Sequence, residues 1–499
     1  MSIKVRFLFT LVANLAKAVL GFLTGLLIAR GLGPEQYGVF AFLLASFSAL
    51  LQLLDMGSSS AFFTFTSKRN RSKRFILSYI AWLGVQLLVS VAIIYLLAPD
   101  TWVQSIWHGE TKERVVIAFC AVFLQRQVWN FVTQLGESQR FTVRVQGMSI
   151  AIFSAHLLLV GGFFLLKDLS IELVYGLMIL EFVVAIVLAM LLLPIATTDE
   201  KETFPQLLNE YKTYCLPLIP FAWLGVLMGF ADTWLLQEYG GAVQQAFYSV
   251  GAQFAVVSLL ATMSILKILW KEVAEDWENL EIQKIERLYN KTAHSLFFIG
   301  ALISGFFIPW SEQIIEITLG DEYMAATLAM AIMFLYPIHQ SLGQVVASMF
   351  LAMEKTKAHT VFGTIHILLS LIVVYFVLAG PQEPIPGLGM GAVGMSVKMV
   401  IVQFITVNLQ MWWLSRHMGW TFKMAYQFIE IAMFVGLGYA CHFVALAVIP
   451  ADWHLLITIC FGGGLYVFVA AIFILALPHK VGFESVPQVQ KLRRVMRFN

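Results

Sequence analysis

Charged residues are scarce in this 499-residue chain. Asp, Glu, Lys and Arg make up 12% of it and hydrophobic residues 59%, and the mean hydropathy is +0.80. A soluble protein could not cover its surface with so few charges, so the composition excludes a soluble globular domain and predicts a polytopic membrane protein. The formal net charge is only +2, and we expect no nucleic acid partner.

Cysteines and cofactor motifs are also scarce. The four cysteines are scattered through apolar runs, which excludes a disulfide framework and a cysteine metal site. No Walker A sequence occurs, and the G-x-G-x-x-G match at 389–394 follows a proline-rich loop rather than a strand. We therefore expect no catalytic residue, no metal and no cofactor, and coupling to an H⁺ or Na⁺ gradient stays open.

Long apolar runs are what the chain has in abundance. Fourteen runs have about the 20 residues that a membrane-spanning helix needs. They lie near 7–29, 39–61, 75–98, 114–135, 146–166, 172–195, 213–236, 244–269, 292–310, 324–351, 359–379, 388–413, 425–449 and 454–477. The fold class predicted is therefore an all-α polytopic membrane protein with about 14 transmembrane helices.

The distribution of basic residues predicts the orientation. With both termini in the cytoplasm, 25 of the 32 Lys and Arg residues fall on inner segments, four on outer segments and three inside spans. Cytoplasmic loops of membrane proteins carry an excess of Lys and Arg. A split that alternates along every loop supports fourteen spans with both termini cytoplasmic.

A weak internal repeat predicts the domain organisation. The segment 37–41 is similar to 246–250, and 136–140 is similar to 353–357, each pair six helices apart. We expect a six-helix bundle over 1–200 and a second over 201–420, related by a parallel pseudo-two-fold axis. Two further transmembrane helices follow over 421–480, with a cytoplasmic amphipathic helix near 270–291 and an amphipathic tail over 481–499.

Three cations lie inside predicted spans, where a charge costs roughly 2.5–3.5 kcal/mol. They are Lys17, Arg126 and Lys398. Polar residues recur at helical spacing around the first two and on the second span, so they should line a common interior. The predicted cavity residues are Lys17, Arg126, Lys398, Asn14, Asn130 and Gln52. Such a basic lining suits phosphate and sugar.

A structural interpretation of the same residues stays open. Lys17 could pair with Asp55, and Arg126 with Glu137 or with helix polar groups. Asp55 is equally well explained as a counter-charge or as a site of ion coupling, and Asp232 is a weaker candidate for the same two roles.

The stretch R-G-L-G-P-E-Q-Y-G over 30–38 resembles the connection between the first two helices of Wzx-type polysaccharide flippases. These transporters belong to the multidrug/oligosaccharidyl-lipid/polysaccharide (MOP) superfamily. The prolines at 217 and 220 and the glycine-rich segment 389–394 are also similar to that family. The motif residues singled out are Arg30, Gly33, Pro34, Tyr37 and Gly38. Either a packing role or direct substrate contact would explain them.

The resemblance implies alternating access and outward flipping of a lipid-linked oligosaccharide, usually on undecaprenyl diphosphate. It implies the inner membrane of a bacterium, membrane lipids, and glycan polymerase or assembly proteins as partners. A cation-coupled multidrug-type antiporter of the same superfamily is the alternative. Glycan polymerases and ligases carry a large outer loop with catalytic residues, which the short outer loops here exclude, so we expect no enzyme.

Overall fold

A computed structural model describes residues 3–198, 202–257, 259–450 and 453–476. The predicted amphipathic tail over 481–499 lies outside these ranges. The described residues form helices, and no strand occurs among them beyond an isolated bridge between Ser72 and Thr198. Two compact units divide these residues, and Ala246 is the last residue of the first before the chain passes into the second. The short stretch Leu378–Gly380 also belongs to the first unit.

The first unit is built from ten helices, the last of which continues into the second unit. They are α1 (Ile3–Asp55), α2 (Ser58–Lys68), α3 (Lys73–Ala92), α4 (Asp100–Ile106), α5 (Lys112–Phe123), α6 (Trp129–Ser138), α7 (Thr142–Leu166), α8 (Ile171–Leu192), α9 (Phe204–Cys215) and α10 (Ile219–Val257). Hydroxyl side chains cap several of them, as at Ser72, Thr111 and Ser170, because they accept the unpaired N–H groups of a first turn.

The second unit holds the remaining helices. They are α11 (Leu260–Glu278), α12 (Ile282–Phe307), α13 (Ser311–Thr318), α14 (Thr327–Met333), α15 (Tyr336–Ala352), α16 (Thr356–Leu378), α17 (Gly391–Met418), α18 (Ala425–Val448) and α19 (Leu455–Ala476). The appended helix α18 is part of this unit's core, because Gly305 and Gly438 let the backbones of α12 and α18 touch. A Cβ at Gly438 would lie 1.9 Å from the Gly305 carbonyl oxygen.

Candidate membrane spans among the described residues number ten, or twelve if two bent pairs of helices each count as one span. The difference from the fourteen predicted runs arises in two long helices. The span Phe9–Asp55 has 47 residues, about 70 Å of helix, roughly twice the hydrocarbon core of a bilayer. This long helix contains most of the first two predicted spans. In the same way, α10 contains most of the seventh predicted span and the first part of the eighth. The all-α polytopic fold class is confirmed.

The internal repeat is visible as the same glycine break in α1 and α10. Gly33 has φ 72° and ψ 169°, and Gly241 has φ 75° and ψ 179°. This backbone conformation is essentially restricted to glycine. The two breaks are 208 residues apart, so pairing 37–41 with 246–250 placed the register one residue out.

The second match of the repeat is a helix end. After α6, Gln139 has φ −93° and Arg140 φ 68°. After α15, Met353 has φ −94° and Glu354 φ 56°. Both turns close with a 2.7 Å backbone hydrogen bond to the carbonyl five residues back. The structure therefore pairs Arg140 with Glu354, and the sequence register was wrong by three residues.

The predicted interfacial helix near 270–291 is not a separate element. Instead α11 runs through Trp270 to Glu278, and α12 begins at Ile282 after a turn at Leu280, which has φ 59°. The side chain of Lys284 binds Asp276 across this turn at 2.5 Å. The prediction was wrong here because charged ends of a helical hairpin have the same amphipathic pattern as a surface helix.

Candidate functional site

A cavity of about 410 Å³ lies within the first unit, between α1, α2, the helix pair α5–α6 and the start of α10. Four of the sequence-predicted site residues line it: Gln52, Asp55, Arg126 and Asn130. The hydroxyls of Ser48 and Ser59 complete the polar wall, and Leu218 and Ala222 form the apolar wall. A concave site with a few convergent polar groups is the usual form of a ligand site.

The first helix interruption at the cavity separates α1 from α2. Met56 and Gly57 have φ 44° and 83°, so the chain is left-handed between the two helices. The amides of Gln127 and Gln86 donate to the carbonyls of Leu51 and Leu54, near the end of α1, at 3.1 and 2.5 Å. The Gln86 amide thus supplies a donor to Leu54, one of the last four carbonyls of α1, which lack a partner within the helix. The Gln127 amide ties the same end of α1 to the chain that carries Arg126.

The second interruption carries Arg126. Residues Leu124–Val128 form one π-helical turn between α5 and α6. Such single turns inside α-helices are rare and frequently occur at functional sites. The extra residue in the turn lets Gln127 bond to Leu51 while Arg126, next to it, faces the cavity.

The third interruption lies between α9 and α10. Residues Leu216–Leu218 form a 3₁₀ turn with Pro217, and Pro220 follows in the first turn of α10. A Cβ at Gly57 would lie 2.7 Å from Leu218, and one at Gly225 would lie 3.1 Å from the Gln52 side-chain oxygen. Irregular backbone within a membrane is tolerated only inside protein or beside a water-filled cavity.

Arg126 is exposed to the cavity. Among the described residues it has neither an ion pair nor a hydrogen bond with protein. The pairing with Glu137 that the sequence left open is therefore not formed in this structure. A guanidinium with its five donors unused can bind a phosphate through two parallel hydrogen bonds.

Asp55 caps α2. Its carboxylate accepts from the backbone N–H groups of Gly57 and Ser59 at 3.2 and 2.9 Å, and from the hydroxyls of Ser58 and Ser59 at 3.2 and 3.0 Å. The positive end of the α2 dipole stabilises this charge. Asp55 forms no ion pair with Lys17 or Arg126 among the described residues.

Lys17 lies in a separate polar group on α1, α6 and α7. Its ammonium donates to the side-chain oxygen of Gln146 at 2.8 Å, and the Gln146 amide donates to Glu137 at 2.7 Å. Glu137 lies seven residues after Asn130, on the same face of α6 as that cavity residue. Asn14, one helical turn before Lys17, is exposed.

Besides Lys17 and Asn14, two further predicted site residues lie outside the lining of the Arg126 cavity. Lys398 lies on α17 within the second unit, where it is 2% exposed. Asp232 lies on α10 and is 8% exposed. Burial to this degree keeps both groups out of open water in this conformation.

The motif over 30–38 forms the glycine break of α1 and its surroundings. Gly33 carries the break, Pro34 follows it inside the helix, and Tyr37 is buried. A Cβ at Gly38 would lie 1.8 Å from the carbonyl oxygen of Ala242. Arg30 is exposed. The geometry supports the packing role for the two glycines.

Sequence reasoning missed two groups of polar residues in the first unit. One is Gln146, which opens a predicted span and therefore looked like an interfacial residue. The other is the contact between His156 of α7 and Glu181 of α8, 2.8 Å apart with the carboxylate side chain 7% exposed. Two complementary titratable groups on consecutive spans would have been a usable signal.

Comparisons with known proteins identify the fold. A family model described as "Polysaccharide biosynthesis protein" matches residues 5–270. The lipid II flippase MurJ in an inward closed conformation is similar over 94% of this chain and 99% of its own, with a TM-score of 0.66 and 16% identity. No curated protein sequence matches the chain.

Two other solved structures are similar to a comparable extent. An inward-facing multidrug resistance MATE family transporter of the MOP superfamily matches 81% of this chain and 94% of its own, with a TM-score of 0.64 and 14% identity. A MOP superfamily transporter from Pyrococcus furiosus matches 83% of this chain and 95% of its own, with a TM-score of 0.55 and 14% identity. The chain therefore has the fold of MOP superfamily transporters.

Proposed function

The chain belongs to the polysaccharide biosynthesis protein family, and from that premise we propose that it flips a lipid-linked oligosaccharide across the membrane, carried on a diphosphate. The observation that carries the proposal is Arg126, a cation on a π-helical turn that faces a polar cavity. Holding such a charge within a span costs roughly 2.5–3.5 kcal/mol. A diphosphate that accepts from the guanidinium compensates that cost when it binds.

The surroundings of Arg126 suit a glycosylated diphosphate. Asn130 and Gln52 supply amide groups for sugar hydroxyls. The hydroxyls of Ser48 and Ser59 already donate to a backbone carbonyl and to Asp55, so they offer acceptors to the sugar. Asp55 lines the same cavity, but the N-terminus of α2 holds its carboxylate and, among the described residues, it forms no ion pair with Arg126. The guanidinium therefore keeps its donors for a ligand. The three helix interruptions at the cavity are positions where helices can bend during alternating access.

The family and the charge distribution support the following further parts of the proposal. We place the protein in the inner membrane of a bacterium with both termini cytoplasmic, and the carrier is of the undecaprenyl diphosphate type. Glycan polymerase or assembly proteins act as partners on the outer side. The chain itself has no catalytic role in this scheme. An H⁺ or Na⁺ gradient drives the cycle.

Transport of a fluorescent polyprenyl-diphosphate-linked N-acetylglucosamine in proteoliposomes tests the proposal. Arg126→Ala should lower the initial rate by about tenfold or more, since a charged hydrogen bond contributes about 1.5–3 kcal/mol. Arg126→Lys should retain part of the rate, because it keeps the charge without the planar fork. Lys73→Ala, on an exposed residue outside the cavity, is the matched control and should transport normally.

The alternative function is a cation-coupled drug antiporter, which the similarity to a MATE transporter at a TM-score of 0.64 supports about as well. A cavity for cationic drugs would favour acidic groups that are available to the ligand. The acidic residue at this cavity, Asp55, is held by the N-terminus of α2, whereas Arg126 has no protein partner among the described residues. The flippase proposal would be overturned if proteoliposomes transported ethidium but did not transport the diphosphate probe. A normal rate of diphosphate transport for Arg126→Ala would instead remove Arg126 from the binding site.

A further inference from the structure

A second cavity, of about 590 Å³, lies in the first unit at the end of α2. Phe65 and Lys68 of α2, Arg69 and Arg71 of the following turn, and residues of α9 line it. The α9 residues in the lining are Asn209, Glu210, Thr213 and Tyr214. Five basic residues fall between 68 and 74, on a segment that the charge distribution assigns to the cytoplasm.

Arg71 lies at the bottom of this cavity, and its contacts hold it in place. Its guanidinium binds Glu202 at 2.8 Å and Glu210 at 2.5 Å, and it lies 4.2 Å from the ring centre of Phe75. Its side chain is 4% exposed. Two carboxylates and an aromatic face therefore already satisfy Arg71, and it holds the walls together rather than binding a ligand.

Lys68 and Arg69 are the exposed cations of the rim. Arg69 also lies 3.6 Å from Glu202, and half of its side chain stays exposed. The Lys68 ammonium and the exposed part of the Arg69 guanidinium are in contact with water, where they can attract an anion. The positive charge available to a ligand therefore lies on Lys68 and Arg69 at the rim, because the charge of Arg71 is neutralised by its two carboxylate partners.

The α9 wall adds neutral donors beside these cations. Asn209 and Thr213 present an amide and a hydroxyl to the cavity. The hydroxyl of Tyr214 lies 3.3 Å from that of Thr64, and its ring packs edge-on to Phe65 with 5.6 Å between centroids. Tyr211 of the same helix stacks on Phe75 of α3. This aromatic packing holds the α9 wall against α2 and α3.

The two cavities share their walls. Ser59 of α2 lines the Arg126 cavity, and Phe65 and Lys68 of the same helix line the second. Six to nine helical residues correspond to about 9–14 Å. On the opposite wall Tyr214 lines the second cavity, and Leu218 and Ala222 line the first.

We propose that the cavity at the end of α2 is a capture subsite for the phosphate groups of a lipid-carried cargo, which then moves along α2 to Arg126. This assignment rests on the proposed function. Lys68 and Arg69 attract the diphosphate at the predicted cytoplasmic surface, where a cargo must first be recruited. Arg126 then binds it within the membrane through the charged hydrogen bonds of its guanidinium.

Binding of farnesyl diphosphate to the purified full-length protein in detergent tests the subsite, because this probe carries a diphosphate on a short prenyl chain. The double variant Lys68→Ala with Arg69→Ala should weaken binding about tenfold or more at low salt. The double variant Lys73→Ala with Arg74→Ala has the same net charge, changes exposed neighbours outside the cavity, and should bind like wild type. In transport, the Lys68/Arg69 variant should raise KM and leave the maximal rate nearly unchanged.

The outcomes separate the subsite from the function. Loss of binding in Arg126→Ala with normal binding and KM in the Lys68/Arg69 variant would overturn the subsite and leave the flippase standing. Failure of wild type to bind farnesyl diphosphate would overturn the diphosphate cargo itself. If the Lys73/Arg74 control bound farnesyl diphosphate equally weakly, the loss of affinity would be a general effect of surface charge and the subsite would be overturned. Displacement of the probe by nanodiscs of phosphatidylglycerol, but not of phosphatidylcholine, would assign the subsite to anionic phospholipid instead.

Discussion

Gly38 touches the backbone of Ala242, since a methyl group on Gly38 would lie 1.8 Å from the Ala242 carbonyl oxygen. Neither backbone can give way cheaply, because each belongs to a long helix just after its glycine break. Gly38→Ala should therefore destabilise the protein by at least about 2–3 kcal/mol. Thermal unfolding followed by size-exclusion in detergent would measure this as a fall in the midpoint and in the folded yield.

The matched control for that substitution is Gly162→Ala. Gly162 also lies in a helix, and a Cβ there would meet nothing within 4 Å. Alanine in place of a helical glycine gains about 0.5–1 kcal/mol. If both variants unfolded at the wild-type temperature, the contact at Gly38 would have no role in stability.

Asp55 should behave as a helix cap. Asp55→Ala removes the acceptor for two backbone N–H groups and two hydroxyls, and should cost about 1–2 kcal/mol of stability. Asp55→Asn keeps one acceptor oxygen and should cost less, with transport largely retained. Loss of transport in a stably folded Asp55→Asn protein would instead favour the ion-coupling role that the sequence left open.

The fold was largely predictable because each membrane span corresponds to one continuous apolar segment of the sequence. Runs of about 20 apolar residues and the alternation of basic loops define spans without knowledge of their packing. The charged hairpin between α11 and α12 was mistaken for a surface helix, because amphipathicity does not say whether the partner of an apolar face is lipid or another helix. Whether Asp276 or a lipid headgroup binds Lys284 depends on tertiary contacts.

The lining of the Arg126 cavity was predictable in part. Gln52, Asp55, Arg126 and Asn130 share a cavity because polar faces of membrane helices turn towards one another. The partners of these residues were not predictable. Gln146 accepts from Lys17 through a contact 129 residues distant in sequence, and Asp55 is used locally by Ser58 and Ser59. Their roles in transport stay predictions.

Gln146 should matter more than its neutral side chain suggests. Gln146→Leu leaves the Lys17 ammonium without its acceptor and Glu137 without its donor, at a cost of about 2–3 kcal/mol. Adding Lys17→Met should recover part of that loss, because the unsatisfied charge is removed together with its partner. Thermal unfolding of the two single variants and the double variant gives the coupling. Strictly additive losses would show that Lys17 and Gln146 act independently.

His108 should make stability depend on pH. It follows α4 in the predicted outer connection, with Nδ1 3.3 Å from Glu238. Burial lowers the pKa of His108 below its ordinary value of 6.5, and the nearby Glu238 carboxylate opposes that shift only in part.

The unfolded chain therefore binds a proton on His108 at a higher pH than the folded protein does. Stability from this group is present above pH 6.5 and falls as the pH drops from there through the lower folded pKa. Thermal midpoints of wild type should fall between pH 7.5 and 5.5 by more than those of His108→Gln. In Glu238→Gln the opposing charge is gone, so the folded pKa drops further and the fall in stability extends to lower pH. Identical pH profiles for wild type and His108→Gln would show that the histidine titrates alike in both states.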